Sequence, residues 1–374
     1  MESPKIFELR KTNKSNVYRY LYTHRQCARQ EIAADLQLSL PTVAQNLKEL
    51  QEAGLLEREG HFASTGGRKA AVLAAKADAA AAAGLEILQQ GVCLVVCDLY
   101  GRILFKRELD MSFRPEEAYY HRLGDWTKSA LAEAPLAQTQ FLGLSAAVQG
   151  LVSADGQQVE YGRLLGNSGM TAAALSAHLS LPCTLVHDSK AAAFAESFFR
   201  PDRENACYLF LNRNLGSALI LNHAVYSGRS ARGQTAEHSC LVPGGRLCYC
   251  GRRGCCESYL SAGSLEAAAG EPLDSFFRHL RAGEPAQTAL WRHYLDDLSA
   301  MICNLLMMMD VDVVLGGLLR SYMTPEDAQF LHSAVQQRSD FPIAAEAVTL
   351  EQCLEHPAAL GAALQHIRAF LDTI

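Results

Sequence analysis

The sequence predicts a mixed α/β protein with a small N-terminal winged helix-turn-helix and a larger, two-lobed α/β body. Three observations carry this. Residues 1–70 hold 11 Lys+Arg against 8 Asp+Glu, a net of +3, while the remainder holds 23 against 32, a net of −9. Within 15–54 the apolar residues recur at helical spacing in three short stretches, and a glycine-rich tip between two apolar pieces follows. From residue 84 onward, two successive strand-turn-strand-turn-strand units each run on into helices and buried strands. Such a duplicated order predicts two lobes with a cleft between them.

In the first stretch, Tyr18, Leu21 and Tyr22 share a helical face. The second, Arg29 to Leu36, puts Ile32, Ala33 and Leu36 on one stripe. The third opens at Ser39, a good N-cap residue, with Pro41 tolerated in the first turn, and Gly54 ends it near Ala53. Val43, Leu47 and Leu50 then face inward, and Thr42, Gln45 and Lys48 face the opposite side. Leu55–Leu73 reads as a β-hairpin with the tip Gly60-His-Phe-Ala-Ser-Thr-Gly-Gly-Arg-Lys69. A basic head of this form points to double-stranded DNA. Thr42 and Gln45 are the candidate base contacts, Asn46 a further candidate DNA contact, Arg68 beside Gly67 the candidate minor-groove contact, and Lys48 and Lys69 the candidate phosphate contacts.

Residues 74–83 are mostly alanine, which by propensity favours helix, and serve as a domain linker. The expected units are therefore a head over 1–73, a linker over 74–83 and a body over 84–374. In the body, Gly84 to Leu109 reads as three strands with turns at Gln89–Gly91 and Tyr100–Gly101. A helix is expected near 115–133, strands at 141–146 and 183–186, and a helix over 189–199. Three strands restart at Ala206, a long helix covers 290–309, and a buried strand over 311–315 ends at Gly316-Gly317.

With 49% hydrophobic and 20% charged residues, extensive disorder is not expected over these 374 residues. The opening MESPKIFELR has no apolar signal region, and the most apolar run, Met301–Leu319, is broken by Asn304, Asp310 and Asp312. A soluble, cytoplasmic protein without membrane contact is the expectation.

Twelve cysteines are present, and five fall within seventeen residues: Cys240, Cys248, Cys250, Cys255 and Cys256. Tetrahedral structural zinc takes four Cys or His ligands. A Cys-x-Cys pair, a further cysteine, a nearby histidine and turn-forming Gly251 and Gly254 meet that need. His238, Cys248, Cys250 and Cys255 are the expected ligands of one structural zinc per chain, with Cys240 and Cys256 as spares. The other seven cysteines are scattered in mostly apolar surroundings, as small buried hydrophobes are.

The stretch Cys248-Tyr-Cys250-Gly251-Arg-Arg-Gly254-Cys255-Cys256-Glu257 resembles the C-x-C-G-x-x-G-C-x-E motif of the ROK family (repressor, open reading frame, kinase). His238 resembles the histidine that completes that family's zinc site, and Thr65-Gly66-Gly67-Arg68 resembles the wing motif of its repressor branch. Val311–Gly317 and Gly361-Ala362-Ala363 resemble the family's buried strand and terminal helix. The resemblance covers nearly the whole chain and implies the actin-like, two-lobed sugar-kinase fold.

The departures bear on function. A ROK kinase carries D-x-G-G-T after its first strand, where glycine lets backbone amides approach the phosphates. Here the stretch is Glu86-Ile-Leu-Gln-Gln90, and the second phosphate loop, Asn212–Ala218, keeps one glycine. ATP-dependent catalysis is therefore not expected. Asp188 matches the family's catalytic aspartate, flanked by His187 and Lys190 where asparagines are usual, and its alternative role is helix N-cap. Glu237, His238 and Glu257 fall at or near sugar-binding positions. Lys190 beside Asp188 favours an acidic or phosphorylated sugar, the alternative being that it neutralises Asp188 and the pocket is empty. The resemblance implies a DNA-binding repressor of sugar-metabolism genes that binds a palindromic operator as a homodimer or tetramer and senses a sugar or sugar phosphate. The alternatives are an active sugar kinase with a regulatory head and a regulator with no small-molecule ligand.

Overall fold

In a computed structural model of the chain, the described residues are 4–61, 71–136, 139–179, 181–229, 233–351 and 355–374. The head consists of α1 (Pro4–His24), α2 (Arg29–Asp35), α3 (Leu40–Glu52) and the antiparallel pair β1 (Leu56–His61) and β2 (Ala71–Ala75). The first helix is longer than the apolar spacing from residue 15 indicates, since it starts at Pro4. Ser39 caps α3 as expected: its Oγ accepts the Thr42 N–H at 3.2 Å. Gly54 ends the helix with φ +74°, a value that favours glycine. Val43, Leu47 and Leu50 are buried. The hairpin tip, with the candidate contacts Gly67, Arg68 and Lys69, lies outside the described residues.

The alanine run corrects the helix expectation. It forms the end of β2, a short 3-10 turn (Ala77–Ala79) and the first half of strand β3 (Ala80–Ile87), with Ala80–Ala83 buried. Packing overrides propensity here. β3 lies directly under the C-terminal helix α12 (Pro357–Thr373), and a Cβ on Gly84 would sit 1.9 Å from the Ala359 carbonyl oxygen. Only small side chains fit on a strand approached that closely.

The first lobe continues with β4 (Gly91–Asp98), β5 (Ile103–Asp110), α4 (Glu117–Glu133), β6 (Gln140–Val148), the short pair β7 (Leu151–Val152) and β8 (Val159–Tyr161), α5 (Ala172–Leu179), β9 (Cys183–His187) and α6 (Asp188–Phe199). Its sheet order is β5-β4-β3-β6-β9. The second lobe has β10 (Ala206–Leu211), β11 (Leu215–Leu221), β12 (Ala224–Val225), α7 (Glu257–Leu260), α8 (Ala262–Ala269), α9 (Leu273–Arg281), α10 (Pro285–Met308), β13 (Asp312–Gly316), α11 (Pro325–Arg338) and β14 (Val348–Leu350). Its sheet order is β12-β11-β10-β13-β14. Both sheets pair three strands antiparallel and then add two parallel strands. The duplication expected from element order is thus a duplication of topology.

Helices α6 and α12 lie between the lobes. Ala191–Ala193 of α6 and Ala358 and Ala362 of α12 share a buried cluster with Tyr208, Phe210 and Val314 of the second sheet. A Cβ on Gly361 would fall 1.7 Å from the Ala191 carbonyl oxygen, so the helices meet backbone to backbone. On the outer face of the first lobe, one continuous cluster joins Val17, Tyr18, Leu21 and Leu50 of the head to Val95, Leu364 and Ile367. The Tyr22 hydroxyl donates to the Leu99 carbonyl at 2.7 Å. Its ring stacks on Tyr100 at 4.5 Å, and the Arg25 guanidinium lies 3.4 Å from the Tyr100 ring centre. Head and first lobe are packed as one body.

Candidate functional site

The cysteine loop leaves the short 3-10 turn Ala236–His238 and ends at α7. Gly251 (φ +90°) and Gly254 (φ +84°) turn it back on itself. A Cβ on Gly254 would lie 1.9 Å from the Val242 carbonyl oxygen, so glycine is required there. The fold-back brings His238, Cys248, Cys250 and Cys255 together, with their ligand atoms all within 4.8 Å of one another. His238 Nδ1 is 3.7 Å from Cys248 Sγ, and the sulfurs of Cys250 and Cys255 are 3.7 Å apart. A tetrahedral ion with metal–sulfur bonds of about 2.3 Å sets its sulfurs about 3.8 Å apart. These four residues can therefore hold a metal ion, and they are the four read from the sequence. The spares stay outside: Cys240 is exposed, and Cys256 is buried against the Ser239 hydroxyl. The other ring nitrogen of His238 is 3.2 Å from the Tyr249 hydroxyl, and the Arg252 side chain donates to the His238 carbonyl at 2.9 Å. These contacts orient the imidazole.

His238 and Tyr249 also line a cleft of about 700 Å³ between the lobes, with Tyr161, Arg163, Asp188, Asn214 and Glu237 among its other walls. Asp188 opens α6 rather than capping it. Its Oδ1 accepts the Ser189 N–H at 2.7 Å and lies 3.3 Å from His187 Nε2. Burial holds His187 below the usual imidazole range, against the pull of Asp188. Glu237 accepts the Ser217 hydroxyl at 2.6 Å, and burial pushes its carboxyl up to about 7.

Two expected ligand contacts are placed elsewhere. Glu257 does not line this cleft: its carboxylate accepts the Leu215 N–H at 2.6 Å and the Asn214 side-chain amide at 2.9 Å. It holds the second-loop backbone in place. Lys190 is buried and is also absent from the cleft wall. Two residues along a helix is about 200° of rotation, which directs Lys190 away from the face that Asp188 presents. The basic residue on the wall is Arg163, which the sequence reading passed over together with Tyr161 and Asn214.

A second cleft, of about 990 Å³, opens on the other side of Asp188. Glu86, near the end of β3 and just before the altered first loop, lines it with Asn212, Gly317 and Glu351. Burial, and then Asp188, pushes the Glu86 carboxyl up to about 7. Burial does the same to Glu351, whose Oε2 accepts the Gly317 N–H at 3.2 Å. No lysine or arginine is among the described residues lining this cleft. Its acidic residues are Glu86, Asp188 and Glu351.

On the head, Gln45 and Lys48 are exposed and Thr42 is partly so. Gln45 Nε2 donates to Glu49 at 2.9 Å, and Lys48 pairs with Glu52 at 3.8 Å. Asn46 is placed differently: it is buried on the side of Leu47 and Leu50, and its side-chain NH₂ has no hydrogen-bond partner.

A family model described as the ROK family matches residues 82–368. The DNA-binding transcriptional dual regulator NagC of Escherichia coli K12 is 24% identical over 262 residues, which are 69% of this chain and 64% of that protein. The chain thus spans just under two thirds of that relative's length. A putative xylose repressor of a Caldicellulosiruptor species is 22% identical over 88% of this chain and 89% of its own. Among solved structures, a ROK family transcriptional regulator described as a homologue of the E. coli Mlc protein aligns over 98% of this chain and 97% of its own, with TM-score 0.77 and 17% identity. A ROK hexokinase from Thermus thermophilus aligns over 78% and 99%, with TM-score 0.65 and 22% identity. These structures share the fold.

Proposed function

The chain belongs to the ROK family, and we infer that within it this protein is a DNA-binding transcriptional repressor of sugar-metabolism genes whose kinase-like body senses a sugar or sugar phosphate without phosphorylating it. One observation carries this reading. A helix-turn-helix head is packed onto a two-lobed body whose first loop carries Leu88 and Gln89 where the two glycines of a kinase let backbone amides reach the nucleotide.

In this reading α3 enters the major groove. Thr42 and Gln45 meet base edges, and Gln45 exchanges its bond to Glu49 for one to a base. Lys48 reaches a phosphate, and Gly67, Arg68 and Lys69 of the hairpin tip meet the adjacent minor groove. A homodimer presents two heads to a palindrome with half-sites one helical turn apart, or a multiple of it. Asp188 and Glu237 accept hydroxyls of the effector, His187 and His238 complete the wall, and Arg163 is the group that meets a phosphate. A structural zinc, one per chain, is held by His238, Cys248, Cys250 and Cys255 and fixes the wall to which His238 and Tyr249 belong. Closure of the lobes on the ligand moves the first lobe, and the head with it. A coupling of about 1–3 kcal/mol suffices for typical regulation.

The test selects binding sites for the full chain from a random duplex library, then titrates a panel of sugars and sugar phosphates against the selected site. Sequence-selective binding weakened by at least one sugar is expected, with phosphoryl transfer from ATP at background. Sustained sugar phosphorylation that disappears in Asp188→Ala, or the absence of selective DNA binding, refutes the reading. Selective DNA binding indifferent to every sugar leaves a regulator without a small-molecule effector.

A further inference from the structure

Away from the cysteine loop, among the described residues, one other mixed cluster of donor side chains is built where the first sheet meets the start of α12. Cys93 on β4 and Glu108 on β5 are direct cross-strand partners, so their side chains leave the same face. His356 caps α12 and brings its Nε2 to 3.0 Å from Glu108 Oε1. One sulfur, one carboxylate oxygen and one imidazole nitrogen lie within 4.8 Å of one another. We propose that Cys93, Glu108 and His356 form a second divalent-metal site, suited to a borderline ion such as Zn²⁺ or Co²⁺ and independent of the cysteine loop.

The donor set selects the ion class. Thiolate and imidazole favour borderline transition ions over Mg²⁺ or Ca²⁺, and three protein donors leave a fourth tetrahedral position for water. Bonds of about 2.0–2.3 Å place one sulfur and two N/O donors about 3.3–3.5 Å apart in a tetrahedron, so the cluster must close by up to about 1.3 Å. Cys93 is fixed in the sheet, while the Glu108 side chain is 58% exposed and that of His356 24%, which leaves both free to close on an ion. The backbone of His356 is left-handed, with φ 49° directly before Pro357, an unfavourable conformation for a non-glycine residue. That conformation carries the imidazole to the hairpin.

Charge at the site favours a cation. Cys93 pairs in register with Glu86 on β3 and with Glu108 on β5, so a carboxylate stands on each side of the thiol. Glu355 lies 3.8 Å from His356 Nε2. Lys106 is the opposing charge, 3.7 Å from Glu108 and bonded to Glu355. A dication displaces the thiol proton and offsets these carboxylates together. It also ties the first turn of α12 to the β4–β5 hairpin at the rim of the second cleft, which His356 lines.

The test titrates the purified, zinc-loaded full chain with Co²⁺, following zinc content, bound cobalt and thiolate-to-cobalt charge-transfer absorption. One cobalt per chain, bound while the zinc is retained and giving the charge-transfer band, is expected. Cys93→Ala should abolish the band. His356→Gln and Glu108→Gln, at partly exposed positions that leave the core intact, should each weaken cobalt binding by at least the roughly 10–100-fold typical of even outer-shell losses. Three results overturn the proposal: no cobalt beyond the zinc, cobalt that only replaces zinc one for one, or a band indifferent to His356→Gln and Glu108→Gln. Each means that the cluster is an ion-pair network alone.

Discussion

Glu86→Gln isolates the buried carboxylate near the end of β3 that lines the second cleft. Burial, with Asp188 nearby, raises the folded-state carboxyl from 4.5 to about 7. A folded pKa above the unfolded value means that the contribution of this group to stability is fully present below about pH 4.5 and is lost as pH rises through about 7. Integrating the linkage for these two values gives a loss of about 0.8 kcal/mol at about pH 5 and about 3 kcal/mol at about pH 8. Gln has nearly the same shape and does not titrate. Relative to wild type, Glu86→Gln should therefore gain about 2 kcal/mol in unfolding free energy between about pH 5 and about pH 8. The assay is urea denaturation of both proteins at the two pH values, read as a difference of differences. Proton uptake at the metal loop and at other carboxyls cancels in that comparison. An unchanged difference across the interval would show that Glu86 is ionised at both ends and is not desolvated. A gain that vanishes in an Asp188→Asn background would instead assign the shift to Asp188.

Three further outcomes follow from the same structure. Cys250→Ser should lose about one metal equivalent per chain by elemental analysis and unfold at lower temperature, because a structural ion contributes folding free energy; full metal retention would remove Cys250 from the ligand set. Glu257→Gln weakens the bonds from Leu215 N–H and the Asn214 amide, so it should destabilise the fold by about 1–3 kcal/mol while effector affinity changes less than in Asp188→Ala, checked by thermal unfolding and calorimetric titration. On the selected duplex, Gln45→Ala should cost about 1–3 kcal/mol and relax preference at one base pair, whereas Lys48→Ala should weaken all sequences alike and reduce the salt slope by about one.

Legibility followed locality. The ligands of the cysteine loop sit within 18 residues, His238 to Cys255, and the turns that close it are written as Gly251 and Gly254. Their spacing alone identified all four donors that the fold brings together. The three helices of the head were legible through 3.6-residue periodicity, though the start of α1 was not, because its first turns carry no apolar stripe. The alanine run was misread as helix because propensity describes an isolated segment. The packing partner that demands small residues, α12, lies some 275 residues away in the chain.

The cleft shows the same limit from the other side. Its wall is drawn from the stretch between β6 and α5, from β9 and α6, from the β10–β11 turn and from the cysteine loop. Tyr161 ends the three-residue strand β8 and Arg163 follows it, an element too short to leave a periodic signal, and nothing in the sequence marks them as neighbours of Asp188. Two misplacements were avoidable. Lys190 follows Asp188 by two positions at the start of α6, and 200° of rotation already turns it away from the cleft. Asn46 stands three residues after Val43 and four before Leu50, both buried, so helical period puts it on the inward face. Residue type suggested a role in each case, and helix geometry had already assigned a direction. Where a family motif and helical rotation disagree about which way a side chain points, the rotation has the stronger physical claim, because it follows from backbone geometry that both readings accept.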